Sequence, residues 1–273
     1  MLPEILIDTF FFFFGLVVGS FLNVLAFRIP EQEGWVAGGR SRCRSCLKKL
    51  TWHELIPVVS FLVLRGKCRS CRSAISAQYP LVEVACGIAF LLVWKFSGTA
   101  VHISSAAFTM VYALFGLCVL MVVFLTDLRH FLIPDRVMVP AIGIAVFAVA
   151  LNKFLFLCEL PGIPCSASGV LFSQLGAGFF LALVTVSGGR WMGLGDVKLA
   201  IFMGLFLGFA KLAVALLIAF FAGSVVGIIL ILLCKKNLKS EVPFGAFLAP
   251  ATAISFFLGE PLLKTIHLLP FRW

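Results

Sequence analysis

The sequence is short of charge, and shorter still of negative charge. Only 12% of its residues are charged, and 12 Asp and Glu face 22 Lys and Arg. A soluble domain carries about 25% charged residues. With 62% hydrophobic residues and a mean hydropathy of +1.12, the chain has more apolar surface than one water-soluble core of its length can hide. Lipid must cover much of it. Tyrosine is nearly missing, 2 against 30 Phe, and residues 10–14 are five consecutive Phe that read as a lipid-facing helix. The net charge of +10 would suit a nucleic acid, but the basic residues lie between apolar stretches, where they set membrane topology. No nucleic-acid partner is expected. The start, Met1-Leu2-Pro3-Glu4, has no basic n-region, and no small-residue cleavage site follows the first apolar run. That run is therefore read as a retained span. Internal repeats, low-complexity tails and long linkers are also missing.

What is present is a series of long apolar runs. A membrane-crossing helix needs about 20 mostly apolar residues. Residues 5–27, 79–97, 104–126, 136–156, 170–187, 197–213, 214–234 and 244–262 qualify. The run 197–234 is too long for one crossing and is divided at its polar break, near Gly208–Lys211. The ten-residue run Leu55–Leu64 is too short to span and is expected at the interface or buried. Cationic side chains set the orientation. Seventeen of the 22 Lys and Arg fall in 28–78, 127–136, 188–198 and 235–243, all on one side of an eight-span arrangement. The positive-inside rule makes that side cytoplasmic and turns both termini outward. The expectation is an all-α polytopic membrane protein of about eight transmembrane helices with a zinc-binding cytoplasmic loop. Its parts would be a first helix over 1–27, the loop over 28–78 and a transmembrane core over 79–273.

The loop contains Cys43-x-x-Cys46 and Cys68-x-x-Cys71, with 21 residues between the pairs. Two such knuckles can bring four thiolates to one tetrahedral Zn²⁺. The separation slightly exceeds the usual about 15–20, so the apolar run between the pairs should fold back. In a reducing compartment these thiols would not rest as disulfides. The rival readings are a redox-active CxxC and metal-free structural cysteine. The surrounding arginines suit anionic lipid headgroups, or they do no more than enforce topology. Cys86, Cys118 and Cys234 lie in apolar spans and read as packing residues. Cys158 and Cys165, in an outward loop, could form a disulfide.

Ionisable groups beside membrane spans are costly and are therefore functional candidates. Asp127 ends the third span, in Leu125-Thr126-Asp127-Leu128-Arg129, and Asp196 begins the sixth, in Gly193-Leu194-Gly195-Asp196-Val197-Lys198. Both belong to the cytoplasmic boundary. Two carboxylates a few ångströms apart do not both ionise easily. One keeps a proton while the other acts as base on a water, as aspartic peptide hydrolysis requires. The plainer reading makes Asp196 a helix N-cap, or a partner of Lys198 or Arg190. Asp135 is expected to cap the fourth span, and Glu83 to be an interface residue or polar partner.

Taken in order, these features resemble the type IV prepilin peptidases, the leader peptidase/N-methyltransferase family of bacterial inner membranes. The resemblance runs nearly end to end. It starts at Gly19-Ser20-Phe21-Leu22-Asn23-Val24 with Arg28-Ile29-Pro30. It continues through both CxxC pairs and the Trp52–Ser60 segment with Ile56-Pro57. Arg65-Gly66-Lys67-Cys68, Ile75-Ser76 and Tyr79-Pro80-Leu81-Val82-Glu83 follow. Next come Asp127 with Ile133-Pro134-Asp135, and Gly193–Lys198. The last is Pro243-Phe244-Gly245-Ala246-Phe247-Leu248-Ala249. The first knuckle departs from the pattern, with Arg44 where Pro often follows the first Cys. The resemblance implies cleavage of basic leaders from type IV prepilins or type II secretion pseudopilins at the cytoplasmic membrane face. It implies Asp127 and Asp196 as the catalytic pair and Cys43, Cys46, Cys68 and Cys71 as zinc ligands. The cysteine loop favours the bifunctional form, which methylates the new N-terminal amine with S-adenosylmethionine. No glycine-rich nucleotide motif in a strand–helix setting marks the methyl-donor site. A membrane thiol oxidoreductase using the CxxC pairs is one competing class. A transporter is another, although its ionisable groups should lie near the membrane midplane rather than at span ends.

Overall fold

The computed structural model describes residues 2–29, 41–97, 103–154, 164, 167–233 and 243–265. The described residues are mostly helical, and their only β-type pairing is the two isolated bridges Arg42–Lys49 and Lys67–Ala74. The chain forms two compact units, Met1–Ala100 and Val101–Trp273.

The first unit pairs α1 (Leu2–Arg28) with α3 (Gln78–Ser97). The pairing depends on small residues. A methyl group at Gly15 would lie 2.6 Å from the Cys86 carbonyl oxygen, and one at Gly19 would lie 2.9 Å from the Glu83 Cα. This G-x-x-x-G face lets two apolar backbones approach closely enough for dispersion to hold them in lipid. The Phe run divides between lipid and protein, which corrects the purely lipid-facing expectation. Phe10, Phe13 and Phe14 are exposed, while Phe11 is half-buried and stacks on Trp94 at 4.9 Å. Between the two helices lie a 3-10 turn at Trp52–Leu55 and the short α2 (Val59–Val63). The Leu55–Leu64 run thus breaks into two pieces. It is not buried: Leu55, Ile56, Val59, Leu62 and Val63 are all exposed.

The second unit holds α4 (Ile103–His130), α5 (Asp135–Phe154), α6 (Ala167–Ser173), α7 (Leu175–Ser187), α8 (Leu194–Leu232) and α9 (Gly245–Thr265). Its core lies along α8, where Leu199, Phe202, Met203 and Phe206 are fully buried. Phe206 stacks on Phe202 at 5.5 Å and on Phe256 of α9 at 5.3 Å.

Among the described residues, six helices are long and apolar enough to cross a membrane: Glu4–Arg28, Gln78–Phe96, Ala107–His130, Asp135–Phe154, Leu194–Leu232 and Gly245–Lys264. The chain is an all-α polytopic membrane protein. The expected crossing at 170–187 is instead two short helices that meet at Gln174. The expected division of 197–234 is a backbone break at Gly208 (φ 72°, ψ 173°), a conformation only glycine adopts cheaply. The part before the break, Leu194–Leu207, spans only about 21 Å at 1.5 Å per residue, against about 30 Å of hydrocarbon. Cys158, Cys165 and Cys234, with the disulfide expected between the first two, lie outside the described residues.

Candidate active site and metal site

Asp127 lies inside α4, one turn before its end, because the helix continues to His130 and not to residue 126 as its apolar run suggests. Phe131 then takes a left-handed backbone (φ 53°) with its N–H on the Asp127 carbonyl at 3.0 Å. That conformation is costly for a bulky residue. It turns the chain so that Ile133 packs back into the protein, 9% exposed.

Asp127 is 5% exposed, and its carboxylate faces the start of α9. Its Oδ2 accepts the Ala246 N–H at 2.7 Å, and the Gly245 N–H donates to it as well. The first amides of a helix have no partner within that helix, and Phe244, which precedes α9, has no polar side chain to offer. Asp127 supplies the missing acceptor from 119 residues away in sequence. Gly245 is required by the same packing. A methyl group there would lie 2.9 Å from Asp127 Oδ2 and 3.0 Å from Ile133 Cδ1.

Asp196 is half-buried in the first turn of α8. It is not the N-cap, which is Gly193. The Gly193 N–H points back at the Asp196 carboxylate, one half of a capping box, and the Asp196 N–H donates to the Gly193 carbonyl at 3.2 Å. Neither expected ion-pair partner reaches it. Lys198 Nζ binds Asp135 Oδ1 at 2.6 Å, and Arg190 Nε donates to the Ser187 carbonyl at 3.1 Å. Asp135 opens α5 as expected, but as a partner of Lys198. The Asp127 and Asp196 carboxylates are close enough to act on one another as like charges. Ile133 fits between the two helix starts, because a methyl group at Gly195 would lie 3.0 Å from its Cβ. Two carboxylates, two helix N-termini and one aliphatic wedge thus meet in the second unit.

In the first unit the four cysteines of the knuckles converge. The sulfurs of Cys43, Cys46, Cys68 and Cys71 all lie within 4.8 Å of one another, and all four are free thiols. Backbone amides point at Cys43, Cys46 and Cys71. The Cys46 and then the Ser45 N–H pull the Cys43 thiol down to about 6, and the Ser73 hydroxyl and amide lower Cys71. The donor set, its spread and the thiolate-stabilising amides suit a tetrahedral Zn²⁺. Glu83 is buried in α3 and accepts the Val58 N–H at 2.8 Å, so it is the polar partner expected of it. Cys86 is buried and Cys118 half-buried, which fits packing roles.

Sequence reasoning missed the amides of Gly245 and Ala246, the wedge of Ile133, and the Lys198–Asp135 pair. Pro243 just before a helix start without a capping side chain was the available signal for the first.

The chain matches two family models, the bacterial peptidase A24 N-terminal domain over residues 13–96 and the type IV leader peptidase family over 114–228. It is 30% identical to a prepilin leader peptidase/N-methyltransferase of Stutzerimonas stutzeri, with 91% of this chain and 89% of the relative covered. The protein of that name in Pseudomonas aeruginosa is also 30% identical, over 92% and 90%. The Aeromonas hydrophila relative is 31% identical, over 93% and 91%. No solved structure matches the chain significantly. With relatives that similar along nearly their full length, the chain belongs to the type IV leader peptidase family.

Proposed function

We propose that this enzyme cleaves the basic leader from type IV prepilins or type II secretion pseudopilins, with Asp127 and Asp196 as the catalytic pair, and N-methylates the residue that cleavage exposes. The observation that carries the reading is the meeting of these two carboxylates at the ends of apolar helices, each already held by backbone amides. The relatives' names support both activities.

The chemistry follows from the pair. The ionised carboxylate takes a proton from a water, and the water oxygen attacks the scissile carbonyl. The protonated carboxyl donates a hydrogen bond to the oxygen that gains charge. Collapse of the tetrahedral intermediate breaks the C–N bond, and the leaving nitrogen takes up a proton. The α9 amides hold Asp127 in one orientation throughout, so no ordering cost falls on the reacting state. A prepilin's apolar helix can lie in the bilayer with its scissile bond near the headgroups. The basic residues bordering these spans support a position for the pair at the cytoplasmic face of the inner membrane, by the positive-inside rule.

Cys43, Cys46, Cys68 and Cys71 would hold Zn²⁺, which contributes folding energy to the loop rather than hydrolytic chemistry. S-adenosylmethionine would supply the methyl group. No described residues form a recognisable nucleotide turn for it, and none is assigned to it.

The test is co-expression with a candidate prepilin, followed by mass measurement of the mature N-terminus. A shortened pilin carrying one added methyl group is expected. A full-length pilin would overturn the peptidase reading, and a shortened, unmethylated one the methyltransferase reading.

A further inference from the structure

The cysteine segment does not project away from the helices that carry it. The Arg44 guanidinium sits 3.8 Å from the centre of the Phe27 ring, near the end of α1. The Val58 N–H reaches Glu83, more than a turn inside α3. Both helices are long and apolar enough to cross a membrane. The segment is therefore drawn to the level where those helices leave the hydrocarbon.

At that level it exposes apolar side chains. Val59, Leu62 and Val63 share one face of α2, and Leu62 and Val63 are 66% and 74% exposed; Trp52, in the preceding turn, is 77% exposed. Beside them is a hollow of about 490 Å³, lined by Val63, Leu64, Cys68 and four cations, Arg65, Lys67, Arg69 and Arg72. Among the described residues no ion pair joins these cations to an acid. Residues 41–78 contain eight Lys and Arg and a single acid, Glu54. Glu54 is committed to its own turn, accepting the Thr51 N–H at 2.8 Å and hydroxyl at 2.7 Å.

Two plainer uses for the cations account for part of this. They bias topology, but topology asks nothing of their arrangement around a hollow. They also offset a zinc–tetrathiolate centre, which is dianionic and leaves the segment still cationic. A basic leader peptide is repelled by the hollow, so the substrate's leader is not its occupant. A soluble anion would not explain the apolar face beside it. An anionic phospholipid matches both halves, a phosphate for the cations and acyl chains for α2.

We infer that the hollow bounded by Arg65, Lys67, Arg69 and Arg72 receives the phosphate of an anionic phospholipid headgroup. The exposed face of α2 and Trp52 sit among the neighbouring lipids. The site docks the cysteine segment onto the inner leaflet.

The experiment uses the full-length enzyme in detergent, titrated with phosphatidylglycerol, phosphatidylcholine or inorganic phosphate and followed by native mass spectrometry. Phosphatidylglycerol should be retained in preference to phosphatidylcholine. Neutralising three cations (Arg65→Gln, Arg69→Gln, Arg72→Gln) should weaken retention on the order of 100-fold, at about 1 kcal/mol for each basic residue at a membrane surface. The matching Arg→Lys variant should keep most of it. Equal retention of the two lipids, or undiminished phosphatidylglycerol on the Gln variant, overturns the proposal. Displacement of the lipid by millimolar phosphate does so too, because the hollow then serves a free anion. If the Gln variant loses its fold, the comparison of the three ligands on the unaltered enzyme decides the question.

Discussion

At the scale of single residues, Asp127 has two tasks. It completes the hydrogen bonding at the start of α9 and presents a carboxylate to Asp196. The first could explain its burial without any catalysis, so the two tasks must be separated by experiment. Gly245 allows this. A methyl group at Gly245 would crowd Asp127 Oδ2 and Ile133 without removing a single ionisable group. Gly245→Ala should lower the turnover of leader cleavage by up to about 100-fold through misplacement of the carboxylate, with substrate KM nearly unchanged. A variant with full turnover would show that the α9 amides do not position the catalytic group. A protonated and an ionised carboxylate acting together also set the pH dependence. Cleavage should follow a bell, lost in acid when both carboxylates are protonated and in base when both are ionised. A single-sided profile for kcat/KM would contradict a shared proton.

At the scale of elements, the apolar runs located most helices, because a membrane span is written in length and hydropathy. Their ends were harder to read. α4 continues past Asp127 because Leu128 through His130 keep the helical backbone until Phe131 turns it. The 170–187 run looked like one span, since nothing in its hydropathy marks the junction at Gln174. The break at Gly208 was legible because glycine and a nearby lysine interrupt a long apolar run. The knuckles were legible too, since CxxC spacing brings the two sulfurs of each pair together, and the fold then brings both pairs within 4.8 Å. Purified enzyme should contain about one zinc, measured by elemental analysis, and Cys68→Ser should lose most of it. Leader cleavage should persist in that variant if it stays folded. Complete loss of cleavage in folded, zinc-free enzyme would mean the metal site serves hydrolysis. In the same unit, Gly19→Val should force α1 from α3 and cost about 1–3 kcal/mol, read as a lowered thermal midpoint in detergent. An unchanged midpoint would remove the close helix approach from the list of what holds the unit together.

At the scale of the whole molecule, composition gave the membrane, and the alternation of basic segments gave a sidedness. The order of short motifs gave the family, where any one of them alone was weak. The contacts that make a site of those motifs could not be read. Pro243-Phe244-Gly245-Ala246 was visible as a pattern, but its service to Asp127 depends on a pairing across 119 residues. Lys198 looked like the neighbour of Asp196 from its place two residues on, yet the helix carries its side chain to Asp135. The central claim is that Asp127 and Asp196 perform the hydrolysis. The most direct measurement is leader cleavage by purified Asp127→Asn and Asp196→Asn enzymes, each with its zinc content and thermal midpoint checked against the parent. Both variants should stay folded, keep their zinc and leave the prepilin uncut. Normal processing by either folded variant would contradict the assignment.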